Sequence, residues 1–110
     1  MRGEFYLKKP EQFALVYHKG GSWVSRLLIM KAVPNGLDLS RYGLSVGKRV
    51  GNAVRRNRVK RLLREIMKDV SLTPGWDIIF IARIPASTVD FSSLRKKVIE
   101  LLHQAKLISE

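Results

Sequence analysis

The clearest amphipathic signal in the chain is the run 53–70, where Val59, Leu62, Leu63, Ile66, Met67 and Val70 recur at i, i+3, i+4, i+7, i+8 and i+11. A 3.6-residue period puts all six on one stripe, so the run predicts a helix that buries that stripe. A second helical pattern starts at Asp90, a good N-cap, and runs to about residue 107 with Phe91, Leu94, Val98, Leu101, Leu102 and Ala105 inward. A shorter one over 11–18, with Pro10 in its first turn, presents Phe13, Val16 and Tyr17 together and stops at Gly20-Gly21.

Between these helices the period changes to two. Residues 23–33 are rich in branched and aromatic side chains and read as one long strand, and Pro34-Asn35-Gly36 is a turn signal. Residues 42–48 read as a second strand, with Leu44 and Val46 on one face, and the two strands are expected to form an antiparallel pair. After Pro74-Gly75, residues 76–84 are apolar on both faces at Ile78-Ile79-Phe80-Ile81-Ala82, which suits a buried central strand ended by Pro85. The predicted order is helix, two or three strands, helix, strand, helix: an α+β two-layer sandwich of helices on a small mixed sheet. The 110 residues contain no internal repeat and no linker, so a single domain over 1–110 is expected.

Hydrophobic residues at 45% and charged residues at 27% are an ordinary globular balance, but 21 Lys and Arg against 9 Asp and Glu give a net charge of +12. Such an excess points to a polyanionic partner. The absence of cysteine excludes disulfides, zinc–thiolate sites and thiol nucleophiles. No run has signal-peptide or membrane-span length, so a soluble, cytoplasmic protein with no membrane contact is expected.

The charge is concentrated. Lys48, Arg49, Arg55, Arg56, Arg58, Lys60, Arg61 and Arg64 fall within one stretch that holds no acid. At roughly 100° per residue, Asn57, Lys60, Arg61, Arg64 and Lys68 turn away from the apolar stripe. An ordinary solvated face would mix signs, whereas a one-signed face repels itself until an anion neutralises it. Arg55 and Arg56 project nearer the apolar arc and are expected past the sheet edge, adding charge to the positive helix end, a natural phosphate site. Asn52 and Asn57 offer paired donors and acceptors for a base edge or a 2′-hydroxyl, although Asn52 also suits an N-cap.

The stretch Gly43-Leu44-Ser45-Val46-Gly47-Lys48-Arg49-Val50-Gly51-Asn52-Ala53-Val54-Arg55-Arg56-Asn57-Arg58-Val59-Lys60-Arg61-Leu62-Leu63-Arg64-Glu65 closely resembles the signature of the bacterial ribonuclease P protein family, centred on Arg56-Asn57-Arg58. The likeness extends to the Phe-containing first helix with His18-Lys19-Gly20, to Asp77-Ile78-Ile79, and to Ala82-Arg83. The resemblance implies a subunit that binds the catalytic RNA of ribonuclease P and assists endonucleolytic removal of the 5′ leader from precursor tRNA. It also implies the ribosomal protein S5 domain 2-like fold, with a left-handed β-α-β crossover that periodicity alone does not show. The expected partners are ribonuclease P RNA and precursor tRNA, with no protein partner evident. The expected metal is Mg²⁺ held in the RNA-containing holoenzyme, with none bound by a motif of the chain.

By the same resemblance the helix carrying Lys48, Arg49, Asn52, Arg55, Arg56, Asn57, Arg58, Lys60, Arg61, Arg64 and Lys68 faces the RNA subunit, while a cleft between the first helix and the sheet holds the leader. Phe13 and Tyr17 are either stacking platforms on the cleft floor or simple core. Arg26, Lys31, Lys48, Arg49, Arg56 and Lys60 are expected at its basic rim. Where family members often carry a strand aromatic, this chain has Leu27, Leu28, Ile29 and Lys31, and Trp23 either compensates or packs on the turn after the first helix.

Other chemistries are poorly supported. Gly43, Gly47 and Gly51 with Lys48 lack the spacing and the Ser or Thr of a phosphate loop. His18 and His103 are outside metal-ligand spacing, and Glu65 with Asp69 at i,i+4 reads as charge balance beside Arg61. The catalytic steps are expected from the RNA subunit. A ribosomal or general structured-RNA-binding protein is the competing reading, and an autonomous metal nuclease a third.

Overall fold

The computed structural model describes residues 6–108. Three helices, α1 (Pro10–Lys19), α2 (Ala53–Lys68) and α3 (Phe91–Gln104), surround four strands, β1 (Gly21–Val24), β2 (Leu28–Pro34), β3 (Arg41–Ser45) and β4 (Trp76–Ala82), in the order α-β-β-β-α-β-α. The sheet order is β1, β2, β4, β3. β2 pairs antiparallel with both β1 and β4, and β3 pairs parallel with β4. α2 is therefore the crossover between two parallel neighbours, and the apolar run of β4 is central as expected; the antiparallel pair expected between the first two predicted strands does not form, because β4 lies between β2 and β3 and takes the hydrogen-bonding edges of both.

The strand predicted over 23–33 is in fact a hairpin of β1 and β2. Ser25 breaks it: its N–H and its hydroxyl donate to the Leu28 carbonyl at 2.8 and 3.0 Å, and the hydroxyl accepts from the Leu28 N–H at 3.1 Å. A serine closing a turn through its own side chain gives the backbone an alternative to the ladder, even within a β-favouring run.

Alternation assigns the two faces. Leu28, Met30, Ala32, Tyr42, Ile78 and Phe80 point to one side and form the main core with Val59, Leu63, Ile66 and Met67 of α2 and Leu94, Val98, Leu101 and Leu102 of α3. On the reverse side Ile79 is buried with Val16 of α1 and Leu7, with Phe13, Val33 and Ile81 packed around them. α2 and α3 thus form the helical layer, and α1 covers part of the reverse face.

Two further differences from the sequence reading have local causes. Phe91, expected inward, is 38% exposed, because burial on α3 begins one turn later at Leu94. α3 ends at Gln104, since Lys106 adopts φ 60° and the Leu107 and Lys106 N–H groups donate back to the Leu102 and His103 carbonyls at 2.9 and 3.0 Å. That pair of bonds is a Schellman stop.

Candidate nucleic-acid interface

α2 starts at Asn52, whose side-chain oxygen accepts the Arg55 N–H at 3.0 Å. The capping use foreseen for Asn52 is the one observed. Gly51, at φ 154°, turns the chain from the 3-10 segment Lys48–Val50 into the helix, in a conformation that disfavours a side chain. Arg56 donates through Nε to the Gly51 carbonyl at 3.2 Å.

Beyond this first turn the helix divides as its sequence predicts. Val59 and Leu63 are fully buried, while Asn57, Arg61, Arg64 and Lys68 are exposed and Lys60 is half-buried. Lys48, Arg49 and Arg55 are also exposed. Among the described residues the ion pairs are Arg41–Asp77 and Lys97–Glu100, and neither involves a cation of α2. The flank is thus predominantly cationic and solvent-facing, with Glu65 the one acid beside Arg61, Arg64 and Lys68, and is able to accept several phosphates at once.

Arg58 differs from its neighbours. Its guanidinium is half-buried and donates to the Val89 carbonyl at 2.8 Å and the Ser87 carbonyl at 3.4 Å, tying α2 to the segment between β4 and α3. Nothing in the local sequence announced this, because the acceptors are backbone groups about thirty positions away.

On the reverse face, strand register fixes which residues surround α1. Ser22, Lys31, Ile79 and Gly43 form one row across the sheet, and Val24, Ile29, Ile81 and Ser45 form the next. α1 sits on the first row: Phe13 lies against Gly43, where an added Cβ would come within 2.6 Å of the ring, and Val16 is buried with Ile79. Along the second row Val24 is 62% exposed, and Ile29, Ile81 and Ser45 are only half-buried. Tyr17, one turn beyond Phe13, is 39% exposed. A partly open apolar surface therefore remains beside α1, with Lys31 in its first row.

The strand ends bordering that surface carry cations. Arg26 is exposed in the β1–β2 turn, and Lys48 follows β3 by three positions. Arg83 follows β4 and donates to the Ser25 carbonyl at 2.9 Å, joining the same end of the sheet. Sequence reasoning passed over Arg83, Ile29 and Ile81 as site residues, although the period-two alternation from Ile79 to Ile81 carried the signal. Trp23 pairs with Met30 and packs with the α2 and α3 side, its ring over Gly21, so it does not face the α1 surface.

Lys60 and Arg64 reach a different place. With Tyr6, Leu7, Phe13 and Tyr42 they line a pocket of about 200 Å³ at the outer edge of β3, where the Leu7 N–H donates to the Tyr42 carbonyl at 2.9 Å. Lys60 thus lines a pocket at the sheet edge together with Phe13, rather than the open row.

Glu65 and Asp69 are exposed, as are His18 and His103, and among the described residues no three His, Cys, Asp or Glu converge on a metal-sized site. A Mg²⁺ ion finds no carboxylate cage in these residues. No helix among them is long and apolar enough to cross a membrane.

The family model described as Ribonuclease P matches residues 1–106. The chain belongs to the bacterial ribonuclease P protein family. It is 46% identical over 104 residues to the ribonuclease P protein component of Dehalococcoides mccartyi, covering 94% of this chain and 87% of that one. A solved structure of the Staphylococcus aureus RNase P protein superposes with a TM-score of 0.85 at 34% identity, covering 96% of this chain and 98% of that one. The RNase P protein of Thermotoga maritima gives 0.81 at 33% identity, covering 90% and 96%. The chain is accordingly the protein component of ribonuclease P, a ribonucleoprotein endoribonuclease, and membership implies tRNA processing with ribonuclease P RNA as a partner.

Proposed function

We propose that the protein acts as a single cytoplasmic RNA-binding domain with two working surfaces. The flank of α2, with Lys48, Arg49, Arg55, Asn57, Lys60, Arg61, Arg64 and Lys68, engages ribonuclease P RNA. Asn52, Arg56 and Arg58 hold the start of that helix and its neighbouring loop in shape. The open surface beside α1, with Phe13, Tyr17, Arg26 and Lys31, receives the single-stranded 5′ leader of precursor tRNA.

The observation that carries this reading is the exposed, predominantly cationic flank of α2, none of whose Lys or Arg side chains forms an ion pair among the described residues. Such a surface lowers the electrostatic cost of bringing two polyanions together, and counterion release supplies the driving force. The leader assignment is supported by the aromatic pair on α1 over a sheet face left half open, since aromatic faces take unpaired bases of any sequence. The protein supplies neither a metal cage nor an acid–base pair in this reading, and the Mg²⁺ that drives hydrolysis belongs to the RNA.

Reconstitution with a bacterial ribonuclease P RNA at low Mg²⁺ tests it. The protein is expected to raise cleavage of precursor tRNA, and no gain would overturn the proposal. Capture of ribosomal RNA as the main bound species would favour a general structured-RNA-binding role.

A further inference from the structure

We infer that the cationic flank of α2 continues across the outer edge of β3 onto Lys8 and Lys9, which bind backbone phosphates of ribonuclease P RNA. The inference rests on the RNA-binding role proposed above and extends it to the segment that leads into α1.

Residues 6–9 strap the edge of the sheet. Tyr6 bridges Tyr42 in parallel register, and the Leu7 N–H donates to the Tyr42 carbonyl at 2.9 Å. Tyr6 packs with the α2 and α3 side, whereas Leu7 is buried with Val16 and Ile79 on the reverse side. Tyr6 also lines a surface depression of about 170 Å³ with Arg61, Arg64, Glu65 and Lys68, so the strap starts beside the α2 cations. Lys8 and Lys9 follow it, both exposed, at most about 7 and 11 Å of extended chain from Tyr6. One strand of RNA lying on the α2 flank can therefore reach them.

The backbone under these two lysines is fixed, since the Lys8 and Lys9 N–H groups both donate to Gln12 Oε1 at 2.8 and 3.0 Å. Cations presented from an ordered backbone lose less freedom when an anion binds. Their position also opposes local stability. Lys9 is the N-cap of α1, where Ser, Thr, Asp or Asn would supply an acceptor and lysine has none, and both charges adjoin the positive end of the helix. Neither side chain recovers that cost by burial. A local rule broken without a packing gain is the mark of a functional position, and a polyanion removes the cost by neutralising the lysines and the helix end together. Continuity through Tyr6 assigns the polyanion to the RNA subunit. Tyr17, proposed for the leader, lies toward the other end of α1.

The test compares two double variants of the full chain. Lys8→Gln/Lys9→Gln removes the proposed contacts, and Arg95→Gln/Lys96→Gln removes the same charge from exposed positions of α3, which packs against β1 and β2 at the far side of the sheet. Binding of ribonuclease P RNA by the first should weaken by roughly five-fold or more near physiological salt, with a slope of log affinity against log salt shallower by about one to two. The second should stay near wild type. Lys9→Ser, which installs a preferred cap, should melt above the wild type and still bind the RNA more weakly, so the loss cannot come from unfolding. Equal losses in the two double variants would make net charge the cause and overturn the inference. An unchanged salt slope in Lys8→Gln/Lys9→Gln overturns it as well, including the case where only discrimination between precursor and mature tRNA is lost. Failure of the RNA-binding role itself would instead appear as no stimulation of cleavage by the wild-type protein.

Discussion

Phe13 rests on Gly43: a Cβ at position 43 would stand 2.6 Å from Cζ and 2.8 Å from Cε2 of the Phe13 ring. The bare backbone of β3 is what lets α1 approach the sheet and sets the height of its first aromatic. Gly43→Ala is expected to cost about 1–3 kcal/mol of stability through overpacking. It should also weaken discrimination between precursor and mature tRNA, measured as the ratio of their affinities for the holoenzyme. Phe13→Ala should reduce that ratio by the loss of one stacking platform, about 1–3 kcal/mol. A Gly43→Ala protein with unchanged stability and discrimination would show that the ring has another place to go.

Arg58 lies in the Arg-Asn-Arg core, yet it spends its donors on the carbonyls of Ser87 and Val89. Arg58→Ala is therefore expected to lose about 1–3 kcal/mol of folding stability, read from urea unfolding, with little change in the salt dependence of RNA binding. Arg58→Lys should not restore it, because one ammonium does not reproduce the planar fork that spans two acceptors. A steep loss of salt dependence in Arg58→Ala would return this residue to the RNA-facing set.

Helix α2 shows both what was readable in the sequence and what was not. The α2 stripe of Val59, Leu63, Ile66 and Met67 was legible because its period is local, and so was the opposite cationic flank. The direction of Arg58, the face taken by Trp23 and the meeting of Tyr6 with Tyr42 were not. Each depends on register or on partners far along the chain, which periodicity does not carry. The β1–β2 turn was hidden differently, by one serine inside a run of strand-favouring residues.

Arg41 forks onto Asp77, with Nε at 2.9 Å from Oδ1 and Nη2 at 2.7 Å from Oδ2, and Asn35 Nδ2 adds a third donor at 2.9 Å. The Asp77 side chain is 3% exposed and that of Arg41 21%. Arg41→Met strands a buried carboxylate with only Asn35 beside it and is expected to cost about 3–5 kcal/mol. Asp77→Asn should cost less, because the partly exposed guanidinium keeps access to water. Chemical denaturation of both variants at neutral pH checks the order, and the reverse order would mean that Asp77 is better solvated than its burial implies.

Asp90 caps α3 by accepting the Ser93 N–H at 2.8 Å. That bond, then the Ser93 hydroxyl and more weakly Arg58, hold the Asp90 carboxyl below its ordinary 3.8. The charged form is therefore favoured by folding. Its contribution is complete above the unfolded value, near pH 4, and is lost as pH falls through the lower folded value. Asp90→Asn keeps a capping oxygen but cannot titrate, so the stability difference between the two proteins should shrink on acidification below pH 4. A difference that stays constant across that range would remove the charge from the account.

Arg61 and Arg58 are three positions apart on one helix but differ in surroundings: Arg61 is exposed, whereas Arg58 is half-buried and bonded to backbone. If the α2 flank works by neutralising phosphates, each cation that touches one adds about 0.7–0.9 to the slope of log affinity against log salt. Arg61→Ala should lower that slope by about one and weaken binding of ribonuclease P RNA without altering folding stability. Arg58→Ala should do the opposite, lowering stability while leaving the slope near that of the wild type. Measuring both variants across a salt series separates phosphate contact from structural support within a single motif. Equal slope changes in the two would mean that the loop carbonyls and the RNA compete for the Arg58 guanidinium, and that the bond to Val89 opens when RNA binds.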